Sequence, residues 1–213
     1  LLRAILIGMR QWMLAPSAKD SENLVETWAT IASMYRSPDR WFLEALGIAA
    51  DNHWDACLAK WQASFSGDPM ASEEMKDILW RSRGKNSVAA LGKIIEHPTT
   101  TGEQTARYFR ALDFLTSDDK SSVLAELAFG DRDYEIEKSN VVLMESANRL
   151  TLDSLNEKQL KKLNQLIEQK RGTPEFISLI GRFSAKQFYS DVLKISSDSS
   201  NPQLAADAMK LLL

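Results

Sequence analysis

Residues 24–35 of the chain, Leu-Val-Glu-Thr-Trp-Ala-Thr-Ile-Ala-Ser-Met-Tyr, carry the pattern that decides the fold. Apolar side chains recur in this stretch at positions 24, 25, 28, 31, 32 and 35. That spacing places them on one face of an α-helix, because side chains three or four residues apart lie on the same side. The same spacing recurs along the chain, for example at Trp54, Cys57, Leu58 and Trp61. Sustained period-two alternation is not found, so the sequence predicts an all-α protein.

Turn and capping residues divide the apolar stretches into helices. Proline after a short polar residue favours a helix start, since its missing N–H has no partner there in any case. Such pairs are Ser37-Pro38, Asp68-Pro69, Thr173-Pro174 and Asn201-Pro202. Capping boxes are predicted for Thr101 with Gln104, Ser154 with Glu157, and Ser184 with Gln187. These signals predict roughly thirteen helices joined by short loops.

The helices are predicted to form pairs that repeat along the chain. The first helices of successive pairs are expected near residues 20, 53, 85, 118, 153 and 185, an interval of about 33 residues. A regular interval of this size is typical of a solenoid, in which each helical hairpin buries its apolar face against its neighbours. We therefore predict a HEAT/armadillo-like α-solenoid of about six antiparallel helix pairs, with residues 1–213 as a single domain. Because Leu1 already lies inside a helical pattern, we expect the chain to be part of a longer multidomain polypeptide.

The apolar run 41–50 is expected to supply core residues. It begins Trp41-Phe42-Leu43 and includes Leu46. Both Trp41 and Leu46 are predicted to be buried, so replacing either with alanine is expected to be strongly destabilising.

Composition argues against several classes of partner. The net charge is −3, and acidic and basic residues are interspersed, whereas phosphate-backbone binding requires a basic face. The run 41–50 contains Glu44 and is far shorter than the roughly 20 residues that span a bilayer. We therefore expect neither nucleic-acid binding nor membrane insertion.

Metal binding and catalysis are not expected either. His53 and Cys57 have ligand-compatible spacing, but Cys57 lies on an apolar stripe, where a buried thiol is the commoner case. The second histidine, His97, is far away in sequence, and a Gly-x-Ser-x-Gly turn to hold a nucleophile is not found. A Gly-rich phosphate loop is also not found. The sequence predicts a chain with no metal, no bound cofactor and no enzymatic activity of its own.

One set of polar residues in the first half of the chain is the candidate for a structural or interaction site. It consists of Asp39, Arg40, Glu44, Asp77, Arg81, Arg83, Arg107, Arg110 and Asp113. The spacing allows pairs within one helix: Arg40 with Glu44, Asp77 with Arg81, and Arg110 with Asp113. Two interpretations stay open. The set is either a ladder of charge-assisted hydrogen bonds between repeats or a concave recognition surface, since arginine and aromatic residues are favoured in binding hot spots.

The segments that contain these residues resemble a known family. The run Asp39-Arg40-Trp41-Phe42-Leu43-Glu44-Ala45-Leu46-Gly47-Ile48-Ala49-Ala50, followed by Trp54-Asp55, is similar to a motif of the large PVC-type heme-binding, dehydrogenase-like proteins of planctomycetes, verrucomicrobia and some bacteroidetes. Later segments agree in the same order: Asp77-Ile78-Leu79-Trp80-Arg81-Ser82-Arg83, Arg107-Tyr108-Phe109-Arg110-Ala111-Leu112-Asp113-Phe114, and Gly172-Thr173-Pro174-Glu175-Phe176 with Arg182-Phe183.

The resemblance implies a place in a larger architecture. Proteins of that family combine an N-terminal β-propeller resembling sugar dehydrogenases, a HEAT-like helical middle and a C-terminal cytochrome-c-like domain with C-x-x-C-H. This chain resembles the middle part, and its single cysteine rules out a C-x-x-C-H motif of its own. The implied role is a scaffold that orders the redox domains or binds a protein partner, in the periplasm or otherwise outside the cytoplasm. The alternative is a free-standing adaptor that binds a peptide or protein in its concave groove.

Overall fold

The computed structural model describes residues 1–14, 18–65, 68–131 and 134–213, and within these ranges the regular structure is helical. The first seven α-helices are α1 (Leu2–Leu14), α2 (Ala18–Ala32), α3 (Arg40–Ala49), α4 (Trp54–Gln62), α5 (Glu73–Arg81), α6 (Ser87–Glu96) and α7 (Gly102–Asp113). They are followed by α8 (Lys120–Phe129), α9 (Ile136–Ala147), α10 (Glu157–Gln169), α11 (Pro174–Phe183), α12 (Tyr189–Ser196) and α13 (Pro202–Leu212). Single 3-10 turns occur at Pro69–Ala71, Leu152–Ser154 and Lys186–Phe188.

The prediction of an all-α protein is confirmed. The even-numbered helices begin at residues 18, 54, 87, 120, 157 and 189, close to the six starts expected from the sequence. The chain divides into two compact units, Leu1–Lys120 and Ser121–Leu213. The solenoid arrangement and the single domain stay predictions.

The first unit is held together by contacts between helices two apart in the chain. α1 packs on α3, α2 on α4, α3 on α5, and α5 on α7. Trp28 of α2 is fully buried, its Nε1–H donates to the Leu46 carbonyl at 3.0 Å, and its ring meets that of Trp54 edge-on at 5.8 Å. The indole thereby fills the core without leaving its one donor unpaired.

Trp41 is exposed, contrary to the prediction. Leu46 is fully buried, but 74% of Trp41 is open to solvent. Both Phe42 and Leu43 face the core, and three consecutive residues span about 200° of a helix, so the first of them is left on the outer face. Periodicity alone does not reveal which end of an apolar run is left outside.

Asp55 of α4 caps the N-terminus of α6. Its two carboxylate oxygens accept from the backbone N–H groups of Lys85 at 3.1 Å and Asn86 at 2.9 Å. Asn86 occupies the N-cap position and makes no capping bond of its own, so a neighbouring helix supplies the acceptor. A Cβ at Gly84 would stand 2.5 Å from the Asp55 Oδ1, which explains why glycine precedes this helix.

We expect Asp55→Ala to lower the free energy of unfolding of the first unit by about 1 kcal/mol, the usual cost of losing a helix cap. All six tryptophans lie within residues 1–120, so a urea titration followed by tryptophan fluorescence reports on this unit. Asp51→Ala is the matched control, because Asp51 makes a half-exposed ion pair with Arg10 that is worth less than about 0.5 kcal/mol. Equal effects of the two substitutions would contradict the capping role.

The second unit has its own apolar core, in which α11 and the 3-10 turn before α12 supply the largest side chains. Phe176 and Phe183 are buried, and the Phe176 ring meets Phe188 edge-on at 6.1 Å. Arg171 lies over the rings of Phe176 and Phe188 and forms ion pairs with Glu168 and Asp191. This guanidinium therefore joins the end of α10 to α12 across the aromatic core.

Candidate functional site

The first part of the candidate site joins α1 to the start of α3. The Arg3 guanidinium donates to both carboxylate oxygens of Asp39, at 2.9 and 2.6 Å. Asp39 is also the N-cap of α3 and accepts from the Phe42 N–H at 3.0 Å. The Phe42 N–H and then Arg3 hold the pKa of Asp39 below its usual value. One carboxylate thus caps α3 and ties it to α1.

The second part joins α3 to α5. Arg81 Nε donates to the Glu44 carboxylate at 2.7 Å. The guanidinium lies against α3 at Gly47, where an added Cβ would come within 2.5 Å of the Arg81 Cζ. Glycine at this position therefore allows the arginine to lie flat across α3 and reach an acid one helical turn away.

The third part is centred on Asp77 of α5, which is 5% exposed. Its Oδ2 accepts from the Tyr35 hydroxyl at 2.8 Å and the Ser37 hydroxyl at 2.7 Å, and its Oδ1 accepts from Arg107 of α7. Burial, followed by the hydrogen bond to Asp77, raises the pKa of Tyr35 far above its usual value. The Arg107 guanidinium also covers the Trp80 ring, with Cζ 4.6 Å from its centroid. The buried Asp77 carboxylate thus accepts from three donors, one of which is a cation that balances its charge.

Together these contacts form a row of charged bridges, which we call the charge row: Arg3 with Asp39, Arg81 with Glu44, and Arg107 with Asp77. Each bridge joins the next two helices in the series α1, α3, α5, α7, which also pack on one another. Charge-assisted hydrogen bonds are directional as well as strong. The row therefore fixes the register of each helix against its neighbour.

The structure joins the predicted residues differently from the pairs that their spacing allowed. Glu44 pairs with Arg81 rather than Arg40, and Asp77 pairs with Arg107 rather than Arg81. Arg40, Arg110 and Asp113 are exposed, and in the described ranges no ion pair joins Arg110 to Asp113. An acidic side chain can pair with a basic residue one turn away on its own helix or with one on an adjacent helix. Glu44 and Asp77 both pair with an arginine on an adjacent helix, where the ion pair is partly shielded from water.

Arg83, the remaining predicted residue, lies just beyond α5 and contacts residues that the sequence reasoning missed. Its guanidinium lies 5.0 Å from the ring centroid of Phe114, the C-cap of α7. Arg3, Tyr35 and Ser37 were also missed as members of the candidate site. Tyr35 belongs to the apolar stripe of residues 24–35, and periodicity cannot show that its hydroxyl has a buried carboxylate as partner.

The two residues considered for a metal site have other roles. The His53 Nε2 lies 2.8 Å from the carbonyl oxygen of Met13, and Cys57 is fully buried. Burial raises the pKa of the Cys57 thiol to about 12, so it is protonated at neutral pH. Among the residues that the structure describes, no three His, Cys, Asp or Glu side chains are grouped as metal ligands would be.

A second polar cluster connects the loop after α6 with the turn before α5. His97 Nε2 lies 2.8 Å from Asp68, and its Nδ1 lies 2.9 Å from the Thr99 hydroxyl, which also accepts from Lys76 at 3.2 Å. The Thr99 backbone N–H donates to the same Nδ1, which makes that nitrogen an acceptor within its own loop. The cluster thus holds two loops together.

Comparison with known proteins gave no relative. No family model, no curated protein and no solved structure matches this chain. Within the described part of the chain, none of the helices is both long enough and apolar enough to cross a membrane.

Proposed function

We propose that this chain is a non-catalytic scaffold of stacked helical hairpins, an α-solenoid of the HEAT-like kind. The charge row is the observation that carries the proposal. Its three bridges lie at successive contacts along α1, α3, α5 and α7, so each of these helix–helix contacts is reinforced by an ion pair. Ion pairs between neighbouring helices are what we expect of a rigid spacer, in which each repeat contacts chiefly its neighbours.

We propose further that this scaffold belongs to a large multidomain redox protein outside the cytoplasm. The support is the resemblance of residues 39–50, 77–83 and 107–114 to the helical middle of the PVC-type heme-binding proteins. In this role the chain contacts neighbouring domains of the same polypeptide and orders them. The heme belongs to a separate domain with a C-x-x-C-H motif, since this chain has a single cysteine.

A free-standing adaptor for a protein partner is the second candidate. Two large exposed aromatic side chains favour it: Trp41 is 74% exposed and Phe114 is 69% exposed. Exposed aromatic residues close to arginines are typical of binding hot spots. The full reading frame distinguishes the candidates, because flanking β-propeller and C-x-x-C-H segments are expected of the multidomain protein and not of the adaptor.

We expect Arg81→Ala to reduce the free energy of unfolding of the first unit by about 1–2 kcal/mol. This range lies between that of an exposed ion pair and that of a buried one, since Arg81 is 20% and Glu44 33% exposed at the side chain. Arg110→Ala is the control, because Arg110 is exposed, and a change below about 0.5 kcal/mol is expected there. Urea unfolding followed by tryptophan fluorescence measures both.

Two results would refute the scaffold. The first is an Arg81→Ala variant as stable as the wild type, which would show that the charge row does not brace the helices. The second is turnover of a sugar with an electron acceptor by the purified chain, which would show an activity that a scaffold does not have.

A further inference from the structure

Arg83 is held in place by backbone carbonyl groups and an aromatic ring rather than by a direct ion pair with a described residue. Its Nη1 donates to the carbonyl oxygens of Trp80, Arg81 and Ser82 at 3.3, 3.0 and 2.6 Å, and its guanidinium stacks on Phe114. Within the described residues no carboxylate lies within ion-pair distance of it, and its Nε and Nη2 make no hydrogen bond. The loop around Arg83 therefore orients its side chain, and the N–H groups on Nε and Nη2 are available to a binding partner.

The charges around Arg83 favour an additional anion. Burial, and then the neighbouring charge of Arg81, lower the pKa of Arg83. Glu44 is the acid that faces this pair, and Arg81 Nε already engages it. The guanidinium groups of Arg81 and Arg83 thus share the Glu44 carboxylate. Arg83 is partly shielded from water, so a second carboxylate that forms two parallel hydrogen bonds with its planar guanidinium would stabilise its charge.

An apolar surface lies directly beside these donors. Phe114 is 69% exposed although its ring carries the Arg83 guanidinium. Trp80, partly exposed, is covered by Arg107. Stacked arginine and aromatic side chains present an apolar face and open donors together, which is the usual composition of a protein–protein hot spot.

We infer that Arg81, Arg83 and Phe114 form a docking surface for a partner polypeptide segment in which an Asp or Glu side chain adjoins a large apolar residue. The carboxylate pairs with the open donors of Arg83, beside Arg81, and the apolar residue packs on the exposed face of Phe114. The inference rests on the proposed function, since it specifies what the scaffold binds. A nucleic acid is a poorer fit, because the net charge of the chain is −3 and a phosphate backbone requires a run of cations.

An array of short random peptides, probed with the whole chain, tests this docking surface. We expect the bound peptides to be enriched in Asp or Glu next to Phe, Trp or Leu. The best of them, measured by fluorescence anisotropy, is expected to bind about tenfold more weakly to Arg83→Ala and to Phe114→Ala, a loss of roughly 1.4 kcal/mol. Phe114→Ala retains the hydrogen bonds of Arg83, so it separates docking from folding. Arg40→Ala is the control, because Arg40 begins α3, at the end away from Gly47, and is expected to bind normally.

Several outcomes would overturn the inference. These are an array on which nothing binds, equal binding of a Gln-for-Glu version of the best peptide, unchanged affinity of both variants, or tighter binding of a single-stranded oligonucleotide than of any peptide. The unfolding measurement on Arg81→Ala is independent of these results. A braced scaffold that binds no acidic peptide therefore refutes the docking surface and leaves the scaffold intact.

Discussion

Replacement of Asp77 with alanine is expected to destabilise the first unit by about 3–5 kcal/mol, since it breaks a half-buried ion pair and also leaves two hydroxyl donors without their acceptor. The substitution removes the acceptor for three donors at once: Tyr35, Ser37 and Arg107. Tyr35 is 1% exposed, so its hydroxyl would be left buried without this partner, at a cost of about 1–3 kcal/mol. The urea midpoint of tryptophan fluorescence should fall accordingly.

Two other variants separate the contributions at Asp77. Asp77→Asn retains an oxygen that can accept from Tyr35 but loses the charge opposite Arg107, so an intermediate loss of stability is expected. Asp39→Ala also removes one bridge of the charge row, but that carboxylate is 36% exposed, and a loss near that of a helix cap, about 1 kcal/mol, is expected. If Asp77→Ala cost no more than Asp39→Ala, Asp77 would not be the central residue of the charge row.

The helices were predictable from local patterns because each depends on residues close in sequence. The capping box of Thr101 with Gln104 and the starts at Pro174 and Pro202 are confirmed. Of the other predicted boxes, Ser154 with Glu157 is wrong, since Asn156 and Gln159 form the box two residues later. Several polar residues near the start of α10 could act as its N-cap, and the local sequence does not show which of them does.

Ser184 shows a different limit of the same reasoning. It was predicted to begin a helix with Gln187, but it ends α11 in the left-handed conformation, with φ of 49°. Its N–H bonds back to the Gly181 and Ile180 carbonyls. A short polar residue suits either end of a helix, and which end it occupies depends on the packing of α11.

The pairing of the charged residues was not predictable, although most of the residues themselves were. Arg81 and Glu44 are 37 residues apart, and Arg107 and Asp77 are 30 apart, so their meeting depends on which helices pack together. The position of Arg81 depends in addition on the missing side chain of Gly47. Spacing within one helix contains none of this information.

Leu46→Ala is expected to cost about 2–5 kcal/mol, the range for emptying a buried leucine position. Leu46 is fully buried, and its carbonyl accepts from the indole of Trp28. The substitution leaves the carbonyl in place and removes three side-chain carbons from the core around Trp28. Its effect therefore measures packing rather than the loss of that hydrogen bond.

Trp41→Ala, five positions earlier in the same helix, is the matched comparison and is expected to change stability by about 0.5 kcal/mol or less. Truncating Trp41 has a smaller effect on stability, although its side chain is larger, because most of its surface is already in contact with water. Little buried apolar area is therefore lost. The five remaining tryptophans still report on unfolding of the first unit. A loss at Trp41 as large as that at Leu46 would show that this face of α3 is covered in solution, either by another part of the chain or by a second molecule.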